Sequence, residues 1–462
     1  MAWTEFYMQP TGSNLNAGST NDDAASVTQT GGSWDSATRT FTAASGTPFS
    51  GVVAGEWVSI YLDAATATPF IAQVESVGGG GASITVSATA RIGTQPTTGA
   101  SGRSCKVGGA WASFAVTVLS ASTTLVMPCR VNVKATTYAN TTNNGIVGWN
   151  GTTTFPMSVR GYNSSPGDLD NGVDSTRPEV TFTTAYMILN SAFCTMQNIN
   201  FSTSNSSVLF YLNGANSVLS NCRFTNTRSN VSATCIAAGS QRGVIRRCYL
   251  MSDSAASQVV NVTSGPLTIQ ESVISGGIIG VSTSIATLVS RCLFSQNNGS
   301  SFVITGAGVN PAFFFGNTIC NCGGSGVEIT VNSTSGVIIA TDNVFSNCGG
   351  YAINNSSGTN TNRIFVANNL YYNNTSGNLN GLGDTIDFGS VSDVSSPFVN
   401  AAGGDFTLAS TSNGYGFSRK FENVATTSYA DIGAVQHQNP AAGAGGARLV
   451  GASALVTPGG CY

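Results

Sequence analysis

Charge is the scarcest property of this chain. Only 8% of its 462 residues are Asp, Glu, Lys or Arg, and the formal net charge is −3. Nucleic-acid binding needs a stripe of Lys and Arg to neutralise phosphates, and no such stripe is present, which argues against that partner. Long apolar runs are also missing. None approaches the roughly 18 residues of a membrane-spanning helix, so membrane insertion is not expected. The opening MAWTEFYMQPTGS has no basic start followed by an apolar core, so it does not read as a secretory signal. The sole histidine, His437, falls near the end, which excludes a Ser-His-Asp arrangement in the body of the chain. Helical periodicity and a recurring Leu-x-x-Leu-x-Leu are both absent. Disorder is excluded too, because 41% of the residues are hydrophobic and they are spread along the chain.

What is present is Ser, Thr, Asn and 55 Gly between short apolar runs, the composition of a nearly all-β protein. The segments AFFFGNTICNCGGSGVEI and IIATDNVFSNCGGYAI share one order: apolar run, polar pair, apolar pair, Asn-Cys-Gly-Gly, apolar return. SVLSNCRFTN, GVIRRCYLMS, LTIQESVISG, TLVSRCLFSQ and IFVANNLYYN follow the same scheme. The large apolar residue after the polar step gives the series Phe201, Phe224, Leu250, Ile274, Phe294, Ile319, Phe345 and Tyr371. Successive gaps are 23, 26, 24, 20, 25, 26 and 26 residues, a mean of about 24.

About 24 residues is too short for a four-stranded propeller blade and suits one rung of three short strands and three turns. No rung buries its own apolar face, so rungs stack about 4.8 Å apart and pair in parallel. Two residues before each anchor stand Ile199, Cys222, Cys248, Ser272, Cys292, Asn317, Asn343 and Asn369, a column of small or amide side chains that forms an internal ladder. Three before it, Arg247, Glu271 and Arg291 sit on consecutive rungs and predict an ion ladder. The 11 Cys are expected to be mainly reduced, stacked and structural. One before the anchor, at a position that should face outward, stand Tyr249, Val273, Leu293, Val344 and Leu370, an apolar strip assigned either to a subunit interface or to covering loops.

The expected fold is all-β: a right-handed parallel β-helix over 101–435, a small N-terminal β unit over 1–100 that serves as cap or attachment unit, and a flexible Gly/Ala-rich tail over 436–462. The segments AAGGDFTLASTSNGYG and SYADIGAVQHQ read as degenerate last turns.

Acid–base chemistry on a glycan needs two carboxylates about 5–10 Å apart. Glu271 and Asp342 share a column but lie three rungs apart, roughly 14 Å by rung spacing. Asp384 and Asp387 in GLGDTIDFG are the best remaining catalytic pair. One acidic cluster, Asp168, Asp170, Asp174 and Glu179, has the oxygen-ligand density of a structural calcium site or of a solvated loop. No other cofactor is expected.

The N-x-[FILY] core steps and CGG turns resemble those of the right-handed parallel β-helix (pectin-lyase-like) superfamily. The opening FYMQPTGSNLNAGS, the stretch RGYNSSPGD…RPEVTF and the ending DIGAVQ are similar to recurrent elements of its phage-encoded and secreted members. Of its polygalacturonase-like motifs, Asn-Thr-Asp, Gly-His-Gly and Arg-Ile-Lys do not occur and Asp-Asp stands only at Asp22-Asp23, outside the array; nor does a clustered-Asp calcium site occur beside a basic residue of the pectate-lyase kind. The resemblance implies a phage virion protein, a tail spike, fibre or capsid decoration. Such a protein would be a homotrimer, held to other virion proteins on one side and to cell-surface polysaccharide on the other, and would be released by lysis. A glycan depolymerase and a bacterial surface adhesin are the alternatives on the same fold.

Overall fold

The computed structural model describes residues 3–436 and the strand Arg448–Leu449, apart from positions 15, 23, 63–69, 93–94, 98, 115–116, 121, 141–143, 170–175, 205, 229–232, 240–241, 254–256, 307–310, 331–336, 358–362, 382–385 and 417–430. The tail read as flexible therefore lies almost wholly outside the described residues. The chain divides into two compact units, residues 1–171 with 176–181 and 185–199, and residues 172–175 with 182–184 and 200–462.

In the second unit the chain winds as a right-handed parallel β-helix, the hand that strand twist favours. Each rung gives one strand to each of three sheets. The first sheet runs from Val218–Ser220 to Ile386–Phe388, the second from Asn200–Thr203 to Val391–Ser392, and the third from Val208–Leu212 to Gly377–Asn380. The anchor residues stack in register, Phe201 on Phe224, then Leu250, Ile274, Phe294, Ile319, Phe345 and Tyr371. All are buried, and several rings meet face to face, such as Phe201 and Phe224 at 5.3 Å.

Corners are made by backbone conformation. The position three before each anchor is left-handed on every described rung, from Asn198 (φ 61°) through Arg247 (53°), Glu271 (50°) and Arg291 (53°) to Asn368 (51°). Asn, Asp and Gly adopt this region at little cost, and Arg247, Glu271 and Arg291, which also occupy it, are joined by ion pairs. Glu271 accepts from Arg247 at 2.9 Å and from Arg291 at 2.8 Å, so the expected ion ladder is present. Inside the same corner, buried Asn317, Asn343 and Asn369 form an amide ladder. Asn317 N donates to Asn343 Oδ1 (2.9 Å) and Asn343 N donates to Asn369 Oδ1 (3.0 Å). The ten described cysteines are buried thiols outside any disulfide.

The first unit departs from the expected 1–100 boundary. Strand Thr4–Met8 pairs in parallel with Cys129–Lys134, which pairs with Met157–Tyr162, and that strand with Cys194–Gln197. Residues 4–8 therefore belong to a rung. Their inward side chains Phe6 and Met8 are fully buried, and Phe6 packs at 5.4 Å from each of Trp57, Trp111 and Trp149. The separate β unit is a closed antiparallel barrel of six strands, from Val27–Asp35 to Ala100–Val107, with Trp34, Phe41, Phe49, Ile60 and Phe70 in its core.

A second correction concerns the end of the array. AAGGDFTLASTSNGYG and DIGAVQ are not rungs. Phe398–Asn400 and Asp405–Leu408 form an antiparallel hairpin, and this hairpin with Ile432, Ala434 and Val435 lies on the outer face of the second sheet. Val273, Leu293, Val344 and Leu370 are buried beneath it, with Tyr249 packed at the edge. The outward apolar strip is thus covered by the chain's own later segment, and those five residues are withdrawn as subunit-interface candidates. Covering them removes four branched apolar side chains from water, each worth about 1.5–3 kcal/mol. Asp393 ties the cover down, accepting from Ser412 Oγ at 2.6 Å and from Asn413 N at 2.9 Å.

Candidate functional site

The corner between the second and third sheets carries a groove of about 580 Å³. Its walls come from the repeat itself. Two residues after the anchors, Gln296, Asn321 and Asn347 are left-handed (φ 55°, 54° and 54°), and this conformation places them at the corner. The next residues, Asn297, Cys322 and Cys348, are buried. One further on stand Asn298, Gly323 and Gly349. Here rungs approach so closely that a Cβ on Gly323 would lie 2.2 Å from Asn298 O, and one on Gly349 2.3 Å from Gly323 O. Glycine is therefore required at both positions. The floor consequently lacks side chains, which leaves the space open.

The lining is Gln296, Asn297, Asn298, Asn321, Cys322, Gly323, Asn347 and Gly349, five amides among eight residues; the buried Asn297 amide is engaged within the coil, donating to Gly276 O and accepting from Ser301 Oγ, which leaves four for a ligand. Amides both donate and accept, which matches the vicinal hydroxyls of a sugar. None of these eight carries a charge. The amide row extends one rung beyond the groove, where Asn373 Nδ2 donates to Asn347 Oδ1 at 2.8 Å. Sequence reasoning singled out the Asn-Cys-Gly-Gly turns as repeats but did not read them as a site. The available signal was the recurrence of a left-handed-tolerant amide followed by two glycines 26 residues apart.

The carboxylates anticipated from sequence are not brought together in the described residues. Asp384 lies outside them. Asp387 is exposed and pairs in register with buried Val366, so it terminates an inward-facing column at the last rung, with its carboxylate held by Ser390 Oγ. Of the proposed calcium ligands, Asp170 and Asp174 lie outside the described residues. Asp168 is used by its own loop, accepting from Asn163 N (2.9 Å), Ser164 N (2.6 Å), Ser165 N (3.0 Å) and Ser164 Oγ (3.0 Å). Burial pushes this carboxyl up, but the N–H donations outweigh it and hold it at about 2. Glu179 opens the strand Glu179–Phe182 and is half-buried. Among the described residues no group of three or more His, Cys, Asp or Glu is gathered as a metal site, and no helix is long and apolar enough to cross a membrane.

No family model and no curated protein matches the sequence. Among solved structures, the chain is similar to the pectate lyase Pel9A, at 13% identity and TM-score 0.41, over 68% of this chain and 89% of that one. It is also similar to a mannuronic acid specific family 6 polysaccharide lyase from human gut microbiota, at 10% identity and TM-score 0.37, over 57% and 74% of the two chains. The tailspike protein gp49 from Pseudomonas phage LKA1 matches at 13% identity and TM-score 0.26, over 84% and 65%. Likeness at this level carries no functional argument, and the fold assignment rests on the strand register.

Proposed function

We propose that the chain is a structural surface protein of a bacteriophage particle that binds neutral cell-surface glycan through the amide groove at residues 296–349. The groove's lining carries the reading: uncharged hydrogen-bonding side chains stand on consecutive rungs, on a scaffold whose glycine floor admits a bulky polar ligand. Rung spacing of about 4.8 Å close to a sugar repeat of the same order lets successive hydroxyl pairs meet successive amides. Each contact is individually modest, and several copies on one particle multiply the affinity. Trimeric self-association and attachment to other virion proteins belong to the same reading. The outer face of the first sheet, with Leu288, Phe313, Ile339 and 41%-exposed Phe365 in one column, is the apolar surface offered to such neighbours.

The test is binding of neutral polysaccharides to the wild type and to the Asn321→Ala/Asn347→Ala double variant, with reducing ends assayed in the same samples. Losing two amide contacts of about 1 kcal/mol each lowers affinity roughly 10- to 30-fold. Unchanged affinity in the double variant would remove the groove from the account. Steady release of oligosaccharides would replace binding with depolymerisation.

A further inference from the structure

Cys322 and Cys348 stand at one position on successive rungs. The pairing of Cys320 with Ser346 continues through Gly349 N, which donates to Cys322 O at 2.7 Å. Their Cα atoms are therefore one rung apart, about 4.8 Å, within the roughly 4.4–6.8 Å that a disulfide spans. The two thiols differ in access. Cys322 lines the groove, whereas Cys348 is fully buried and does not. They differ in acidity as well. The Cys348 thiol beside the Cys322 sulfur holds Cys322 below the usual thiol range against the opposing effect of burial, and the same contact with burial pushes Cys348 well up. By contrast, burial drives Cys129, Cys194, Cys235 and Cys292 up to about 12. Nucleophilic attack requires thiolate and access together; of the two thiols, Cys322 is the one shifted toward thiolate and the one that lines the groove, where 3% of its surface is exposed.

We propose that Cys322 and Cys348 form an oxidisable dithiol that closes to an inter-rung disulfide when a small organic disulfide enters the groove. The Cys322 thiolate attacks one sulfur of the reagent, forms a mixed disulfide and expels the first thiolate. Cys348 then loses its proton and attacks the Cys322 sulfur, expelling the second. The protein loses two hydrogens, two electrons pass to the reagent, and the reagent leaves as two thiols. The bridge ties together two rungs 26 residues apart in sequence. It lies at the base of the proposed glycan groove but does not depend on glycan binding.

The experiment treats the folded full-length protein with glutathione disulfide, blocks remaining thiols and maps the peptides by mass spectrometry. A Cys322–Cys348 link is expected, forming about tenfold or more faster than modification of Cys222, Cys248 or Cys292. Cys348→Ser should stall at a Cys322–glutathione mixed disulfide that dithiothreitol releases, and Cys322→Ser should leave Cys348 unmodified. The wild-type arm needs no substitution, so a folding defect in either variant leaves the test intact. A link from Cys320 to Cys348, or a Cys322 no faster than the other buried thiols, would overturn the proposal.

Discussion

Replacing Asn343 by leucine is expected to destabilise the protein by about 3–4 kcal/mol, more than most single substitutions in a coil of this kind. The side chain is fully buried and makes four hydrogen bonds. Its Oδ1 accepts from Asn317 N (2.9 Å) and Asn317 Nδ2 (3.0 Å), and its Nδ2 donates to Phe314 O (2.9 Å) and Asn369 Oδ1 (3.0 Å). Leucine fills similar volume but leaves the Asn317 N–H buried without that acceptor, a cost of about 1–3 kcal/mol before the other lost bonds are added. Serine should cost less, because a hydroxyl retains the acceptor. The ladder itself shows this at Ser272, whose Oγ accepts from Cys248 N at 3.1 Å. Chemical denaturation of the three proteins checks the order. A leucine variant within 1 kcal/mol of wild type would show that the ladder is not what holds this corner.

Gly433→Val is expected to unseat the covering segment, at a cost of about 3 kcal/mol. Gly433 is left-handed (φ 98°), which is strained for any residue with a Cβ and most for a β-branched one. A Cβ there would also meet Thr318 Oγ1 at 2.7 Å and Val344 Cγ2 at 2.8 Å. The neighbouring anchor points, Gly433 N to Asp342 O (2.9 Å) and Ala434 N to Thr318 Oγ1 (3.0 Å), would be lost together. Release of the segment exposes Val273, Leu293, Val344 and Leu370. The checks are binding of a hydrophobic dye, faster proteolysis near residue 410, and concentration-dependent association. A variant that retains wild-type protease resistance and binds no dye would contradict the seating described for 398–435.

The anchor series was legible in the sequence residue by residue, because a period of about 24 with a large apolar residue at each step leaves few alternatives for what stacks on what. The polar columns were legible for the same reason. What escaped was non-periodic. The pairing of Thr4–Met8 with Cys129–Lys134 joins strands more than 120 residues apart and has no local signal, so the barrel between them looked like a terminal unit. The sequence left the strip between a subunit interface and covering loops because its cover, the hairpin at 398–408 and DIGAVQ, resembled weak rungs; the covering alternative holds. The antiparallel pairing of 398–400 with 405–408 and the close approach at Gly433 distinguish a segment laid across rungs from one wound into them. The groove was hidden differently. Its amides and glycines were identified as turn formers, and the space comes from side chains that glycine does not have.

The central claim is that the 296–349 corner is where ligand binds. Amide hydrogen exchange with and without a saturating neutral oligosaccharide tests it most directly. The account predicts added protection concentrated at residues 296–298, 321–323 and 347–349, with no shortening of the oligosaccharide. Protection centred instead on the last rungs around Asp387, accompanied by shorter products, would contradict it.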